Sequence, residues 1–179
     1  MGNIVLLDDL TINKIAAGEV IERPANVVKE LVENSIDAGA NKIVIEVKNG
    51  GKTLIKITDN GKGISQEDMP ISLERHATSK IRKVEDLEKT YTMGFRGEAL
   101  ASISAISILT MQSKTKEEFT GIKIVAKAGN IIEAEECGMQ VGTTILVENL
   151  FFNTPVRYKF LKQDATEFRY IKDWVQKVA

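Results

Sequence analysis

The chain has 179 residues, with 24 basic and 25 acidic side chains and a formal net charge of −1. This length suits one domain with a full core and is too short to expect two, and the balanced charge is unlike that of a dedicated nucleic-acid-binding protein. No apolar run approaches the roughly 20 residues that span a bilayer, and one cysteine with one histidine excludes an internal disulfide and a zinc site of the usual spacing. We expect a single intracellular, cytoplasmic domain.

The first part of the chain predicts two helices. Thr11 can cap a helix that runs to Val20, and Pro24 suits the first turn of a second helix, which Gly39 ends after Ala38. Alternating apolar residues over 42–48 and 54–59, separated by a segment with two glycines, then predict an antiparallel β-hairpin with one buried face.

The rest of the chain predicts a long loop followed by mixed elements. Ser65 and Asp68 indicate a short helix start that Pro70 limits, and residues 76–96 lack periodicity and are interpreted as a functional loop. The remaining elements are a helix over 97–105, strands near 106–113, 121–127, 131–135 and 143–148, and helices that begin near 154 and 164. The last helix has no stop signal, so we expect an N-terminal fragment of a longer protein.

The second helix carries polar side chains on one face. At about 100° per residue, Glu30, Asn34 and Asp37 fall together, apart from a broad apolar arc. In an isolated helix this pattern is typical of a solvated face. The functional alternative is that Glu30 acts as a general base and that Asn34, one turn later, supplies an oxygen to Mg²⁺.

Three glycine-containing motifs follow. DNGKGI at 59–64 is ordinary turn chemistry, or else Asp59 accepts a hydrogen bond from an adenine amino group while Gly63 lets the base approach the backbone. MGFRGEALASIS at 93–104 places glycines before a helix N-terminus, where backbone amides can bind phosphate, although it is not a Walker A loop. GTT at 142–144 by itself indicates only a β-strand.

Taken in order, these motifs resemble the nucleotide site shared by gyrase, HSP90, histidine kinases and MutL. The segments IAAGEVIERP at 15–24, ELVENSIDAGA at 30–40, RHATSKI at 75–81 and GFRGEALASIS at 94–104 are similar to MutL signatures almost letter for letter. The resemblance covers nearly the whole chain and ends with FFNTPVRYKFLK at 151–162. It implies an α/β two-layer sandwich of the Bergerat type, with a mixed, largely antiparallel sheet and helices on one face.

The resemblance also implies a set of site residues for ATP and Mg²⁺. Glu30 is expected to activate the attacking water, Asn34 to hold the metal, and Asp59 to read adenine with help from Gly63 and Thr144. A lid over 78–100 is expected to meet the phosphates through Thr78, Ser79 and Lys80 and through the backbone of Gly94, Phe95, Arg96, Gly97, Glu98, Ala99 and Leu100. His76 is left outside the catalytic set.

The implied function is slow ATP hydrolysis that drives lid closure and dimerisation in DNA mismatch repair. The implied partners are a second copy of the protein when nucleotide is bound, a MutS-type mismatch-recognition protein, and DNA bound weakly and without sequence specificity. In a bacterium the protein would be nucleoid-associated, and no membrane is expected. Two alternatives stay open: a nucleotide-gated module without turnover, and a chaperone or topoisomerase ATPase domain, against which the GFRGEAL wording counts.

Overall fold

The computed structural model of this chain describes residues 4–77 and 97–179. Six helices are present in these residues: α1 (Asp9–Val20), α2 (Pro24–Asp37), α3 (Asp68–Ile71), α4 (Ala99–Ala105), α5 (Pro155–Phe160) and α6 (Asp164–Val178). The strands are β1 (Ile43–Lys48), β2 (Leu54–Asp59), β3 (Ile108–Lys114), β4 (Gly121–Lys127), β5 (Asn130–Cys137) and β6 (Gly142–Glu148). No helix in this described part is long and apolar enough to cross a membrane.

The first two helices begin and end for identifiable reasons. Asp8 caps α1, because its carboxylate accepts the N–H of Thr11 at 2.8 Å, so the prediction that Thr11 is the cap is wrong. In α2, Asn26 Oδ1 accepts the N–H groups of Glu22 and Arg23 and fixes the entry into the helix. After α2 the chain turns at Gly39, whose φ of 76° favours glycine.

All six strands form one sheet in the order β1-β2-β6-β3-β4-β5, and every pairing is antiparallel. The β1–β2 hairpin is confirmed, with a short turn over Asn49–Gly51. The sequence predicted a mixed, largely antiparallel sheet. Strands β2 and β3 do run in the same direction, but β6 lies between them and pairs antiparallel with both, so no parallel pair occurs in the described residues.

The core lies between the sheet and one layer of helices, which confirms the two-layer sandwich. Alternate residues of the central strands are buried, and the intervening residues of the same strands are more exposed. On the helix side, α2 packs against β2 and α6, whereas α1 packs against α4. The buried set includes Val28 and Leu31 of α2, Ile57 of β2, Met111 of β3 and Ile145 of β6.

Arg157 of α5 binds the C-terminal end of α1. The Arg157 guanidinium donates to the carbonyl oxygens of Gly18 (3.1 Å) and Ile21 (3.4 Å), where the C-terminal carbonyls of α1 carry partial negative charge. A Cβ atom at Gly18 would overlap this guanidinium, so the glycine leaves room for the contact. The contact joins two of the quoted sequence segments, 15–24 and 151–162, across most of the chain.

Candidate functional site

The C-terminal end of β2 presents a carboxylate that is held from two sides. Ser35 of α2 donates its hydroxyl hydrogen to Asp59 Oδ2 at 2.7 Å, and the backbone N–H of Gly61 donates to Asp59 Oδ1 at 2.9 Å. An ionised carboxylate has about four lone-pair sites, so each oxygen of Asp59 can still accept a further donor. This part of the structure is therefore a fixed acceptor suited to an external N–H group.

Glycines form the walls beside this carboxylate. Side chains at Gly63 and Gly142 would overlap the backbone carbonyls of Lys114 and Asp59, and the φ angles of these glycines are 77° and 135°. At Gly61 a Cβ atom would lie 2.9 Å from the Ala38 side chain. Only glycine fits at these positions, so the backbone segments around Asp59 pack closely against one another.

The threonine beside Asp59 is Thr143 rather than Thr144. In the β2–β6 register Asp59 faces Thr143, and both lie on the core side of the sheet. The sequence assigned this role to Thr144, which pairs with Thr58 on the other face, where its hydroxyl donates to Thr58 Oγ1 at 3.3 Å. A sequence pattern cannot distinguish two adjacent threonines until the strand register is known.

Helix α2 carries the predicted base and metal ligand along one edge. Glu30 and Asn34 are half-buried, and neither side chain makes a hydrogen bond or ion pair with any residue in 4–77 or 97–179. Asn34 directly precedes Ser35, whose hydroxyl contacts Asp59, so α2 brings the predicted metal ligand to the same end of β2. Asn34 and Asp59 therefore lie on neighbouring elements that the Ser35–Asp59 hydrogen bond joins, and Glu30 lies about one turn before Asn34 on α2.

The start of α4 is held by a polar cluster. The Glu98 carboxylate lies 3.1 Å from His76 Nδ1 and 3.8 Å from Arg75 Nη2, and Arg75 Nη1 donates to Asn13 of α1 at 3.4 Å. Because Glu98 is engaged in this way, its side chain does not cap α4. Gly97, Ala99 and Leu100 are described at this helix start, while Thr78, Ser79, Lys80, Gly94, Phe95 and Arg96 lie outside the described residues.

A cavity of about 450 Å³ lies elsewhere, between α1, the residues after α3, and α4. Asn13, Arg75 and His76 line it, together with small residues of α4. The polar groups of Asn13 and Arg75 in this cavity are already bonded to one another, whereas the oxygens of Asp59 can each accept a further donor. We therefore place the candidate site at Asp59 and not in this cavity.

Sequence reasoning missed two serines at the site. At 100° per residue Ser35 falls within the apolar arc of α2, beside Leu31, and a polar residue inside an apolar face is a detectable signal. Ser113, at the end of β3, occupies a core-facing position in the same alternation as Met111 and is fully buried. Its partners come from distant parts of the chain, so the sequence gives no sign of what it contacts.

The loop after Gly63 is attached to the β3–β4 loop by Glu118. The Glu118 carboxylate accepts the N–H of Gln66 (2.8 Å) and the N–H and hydroxyl of Thr115 (3.0 and 2.9 Å). These bonds, led by the one from Gln66, hold the pKa of Glu118 below its ordinary value of 4.5, with a smaller contribution from the charge of Lys114. Ionisation of Glu118 therefore stabilises the folded state.

Comparison with known proteins shows the family to which this chain belongs. Residues 21–143 match the model of the histidine kinase-, DNA gyrase B- and HSP90-like ATPase family. The match covers more than half of the chain, so the chain belongs to this ATPase family. Within the family, the resemblance to MutL is confirmed by both sequence and structure.

One relative is the DNA mismatch repair protein MutL of Halothermothrix orenii, 52% identical over 179 residues, which is 100% of this chain and 28% of that protein. The structure is similar to the Aquifex aeolicus MutL ATPase domain complexed with ADP: TM-score 0.71, 41% identity, 89% of this chain and 56% of that chain. It is also similar to the N-terminal domain of a DNA repair protein: TM-score 0.77, 35% identity, 92% of this chain and 47% of that chain. The chain spans less than a third of the curated relatives' length, 28% and 30% in two cases.

We expect Glu118→Gln to lower the melting temperature mainly at neutral pH. Because the folded-state pKa lies below that of the unfolded chain, the carboxylate stabilises the fold above its ordinary pKa and loses this contribution as the pH falls through the folded-state value. The gap in melting temperature between wild type and variant should shrink below about pH 4. Circular dichroism melts measure this gap, and Glu117→Gln on the adjacent exposed residue should show no gap. A gap of equal size at neutral and acid pH would contradict the assignment.

Proposed function

We propose that this domain binds ATP with its adenine at Asp59 and hydrolyses it slowly, as the nucleotide-dependent part of a DNA mismatch repair protein. The observation that carries the proposal is the Asp59 carboxylate, held by Ser35 and Gly61 and able to accept a further donor, in a chain of the ATPase family. The similar Aquifex aeolicus domain is complexed with ADP, which supports the same ligand class here.

The base is recognised by its amino group. Adenine has an N–H₂ donor where guanine has a carbonyl oxygen, so an ionised acceptor at Asp59 favours adenine. We assign Gly63 to the backbone that the ring approaches, and its φ of 77° together with its close contact to the Lys114 carbonyl requires glycine there. The resemblance implies that Thr144 assists Asp59, and we propose Thr143 for this role because its hydroxyl is on the Asp59 side of the sheet.

The metal is held by Asn34 together with the phosphates. Among the described residues no group of three or more acidic, histidine or cysteine side chains could hold a metal ion. This scarcity fits Mg²⁺, which takes one or two protein oxygen ligands and completes its shell with phosphate oxygens and water. When bound, Mg²⁺ would offset the negative charge of the phosphates, and the side-chain oxygen of Asn34 would suit its preference for hard ligands.

The phosphates are held by the lid and the start of α4. We assign this role to Thr78, Ser79 and Lys80 and to the backbone of Gly94, Phe95, Arg96, Gly97, Glu98, Ala99 and Leu100. Amide groups and a cation next to the phosphates supply the positioning and charge stabilisation on which phosphoryl transfer depends. The contacts of the Glu98 carboxylate with Arg75 and His76 hold the residue next to Gly97 at the start of α4.

Glu30 removes a proton from the attacking water. Its carboxylate is half-buried and makes no bond to another described residue, so both oxygens are free to accept that proton. We propose that full turnover also needs a lysine of a following domain at the γ-phosphate, so that this domain alone hydrolyses ATP slowly. In the full-length protein, nucleotide binding closes the lid and promotes dimerisation, and the dimer acts with a MutS-type protein and binds DNA weakly.

We expect Asp59→Asn to weaken ADP and ATP binding about 5- to 150-fold, equivalent to about 1 to 3 kcal/mol. The amide can keep one acceptor oxygen, but its N–H₂ group then faces either the Gly61 N–H or the adenine amino group. Isothermal titration calorimetry measures the affinity, with circular dichroism to verify the fold. Asp173→Asn, on the exposed side of α6, is the control and should bind like wild type. Full affinity in Asp59→Asn would remove Asp59 from the site.

We expect Glu30→Ala to leave nucleotide affinity nearly intact and to reduce turnover by the full-length protein about 10²- to 10⁴-fold, as for loss of a general base. Steady-state phosphate release and calorimetry measure the two effects separately. Glu136→Ala, on the exposed strand β5, controls for the loss of a carboxylate. Wild-type turnover in Glu30→Ala would place the base elsewhere, and a wild-type protein that binds ATP without releasing phosphate would indicate a binding module.

A further inference from the structure

Ser113 connects three separate parts of the Asp59 site. Its side chain is fully buried at the end of β3. The Ile64 N–H donates to Ser113 Oγ at 2.8 Å, Ser113 Oγ lies 2.8 Å from Thr143 Oγ1, and Ser113 donates to the Gly142 carbonyl at 3.0 Å. One hydroxyl thus joins the loop that follows Asp59 to the first two residues of β6.

These contacts use the full bonding capacity of a hydroxyl. Serine has one O–H donor and two acceptor lone pairs. If Ser113 donates to Gly142, then Ile64 and Thr143 are the two donors to it, and nothing is left unsatisfied. Alanine at this position would leave the Ile64 N–H without its acceptor in a buried environment, which costs more than the loss of an average hydrogen bond.

The same loop is attached to the β3–β4 loop at a second point. Glu118 accepts the Gln66 N–H at 2.8 Å, and the Gln66 side-chain amide donates to the Thr120 carbonyl at 3.1 Å. Gly63 lies directly against the Lys114 carbonyl, where no side chain fits. Residues 63–66 are therefore held against the end of β3 and the β3–β4 loop. Among the residues that hold them, Ser113 is fully buried.

The position of this loop decides where Asp59 points. The Gly61 N–H that holds Asp59 Oδ1 belongs to the same short segment, and Gly142 lies directly against the Asp59 carbonyl. A shift of the loop away from β6 would therefore move the Gly61 amide and widen the space between Asp59 and Thr143. We propose that Ser113 is a positioning residue for adenine recognition, which fixes the 59–66 loop against β6 so that the Asp59 carboxylate is aimed at the base.

This inference rests on the proposed function, because it assumes that adenine binds at Asp59. It differs from a purely structural role in a measurable way. A residue that positions the base contact alters nucleotide affinity and KM, whereas Glu30 and the phosphate contacts, which set kcat, lie on α2 and the lid. A residue that only stabilises the core lowers the melting temperature and leaves affinity unchanged at temperatures well below unfolding.

The matched control is Ser107, a second fully buried serine, whose hydroxyl donates to the Ile103 carbonyl at 2.6 Å, away from the site. In the full-length protein, Ser113→Ala should raise the ADP dissociation constant and the KM for ATP about tenfold, with kcat within about twofold. Ser107→Ala should lower the melting temperature and change neither constant. Amide exchange at Ile64 and Gln66, measured without nucleotide, should become faster in Ser113→Ala only.

If Ser113→Ala binds ADP as tightly as Ser107→Ala does, the positioning role is wrong. If Ser113→Ala fails to fold, Glu118→Gln provides the test from the loop surface: affinity a few-fold weaker supports the proposal, and unchanged affinity overturns it. Asp59→Asn, measured in parallel, distinguishes failure of the positioning role from failure of the adenine site. Loss of ADP binding in Asp59→Asn together with wild-type binding in Ser113→Ala rejects the positioning role alone, whereas wild-type binding in Asp59→Asn rejects the adenine site itself.

Discussion

The candidate site depends on a carboxylate that is held in one orientation and can still accept a further hydrogen bond. Asp59 meets both conditions because its two oxygens each accept one internal hydrogen bond, from Ser35 and from Gly61, and retain capacity for an external donor. A carboxylate without these partners would rotate and lose directional preference. A carboxylate with more internal partners would have nothing left to offer a ligand.

The surrounding elements hold the two donors, the Ser35 hydroxyl and the Gly61 N–H, in place. Ser35 is fixed because α2 packs on β2 through Val28, Leu31 and Ile57. Gly61 is fixed because the loop that contains it is bonded to Ser113 of β3 and to the β3–β4 loop. Because β6 lies between β2 and β3 in the sheet, Ser113 of β3 can contact both β6 and the loop that follows β2.

The sequence predicted local structure well and spatial neighbours poorly, for physical reasons. The β1–β2 hairpin and the helix that begins at Pro24 depend on local periodicity and turn chemistry, which a sequence contains. The cap of α1 was misassigned because Asp8 and Thr11 are both good cap residues, and the difference depends on where the chain enters the helix.

Register and strand order are not local properties. Thr143 rather than Thr144 lies beside Asp59 because β6 pairs with β2 in one particular register, and a shift of one residue would exchange their faces. Ser113 reaches Ile64 and Gly142 only because three strands that are distant in sequence are adjacent in the sheet. Resemblance to a family supplied the site residues that local patterns left ambiguous, such as Glu30.

A crystal structure of the domain with ADP and Mg²⁺ would show directly whether the fixed acceptor at the end of β2 binds the adenine base. We expect the adenine amino group within about 3 Å of an Asp59 carboxylate oxygen. Thr143 should lie on the ligand side of β6, and Asn34 should face the metal. Adenine bound away from Asp59, with Ser35 and Gly61 still bonded to a carboxylate that makes no contact with the base, would contradict the assignment of Asp59 to adenine recognition.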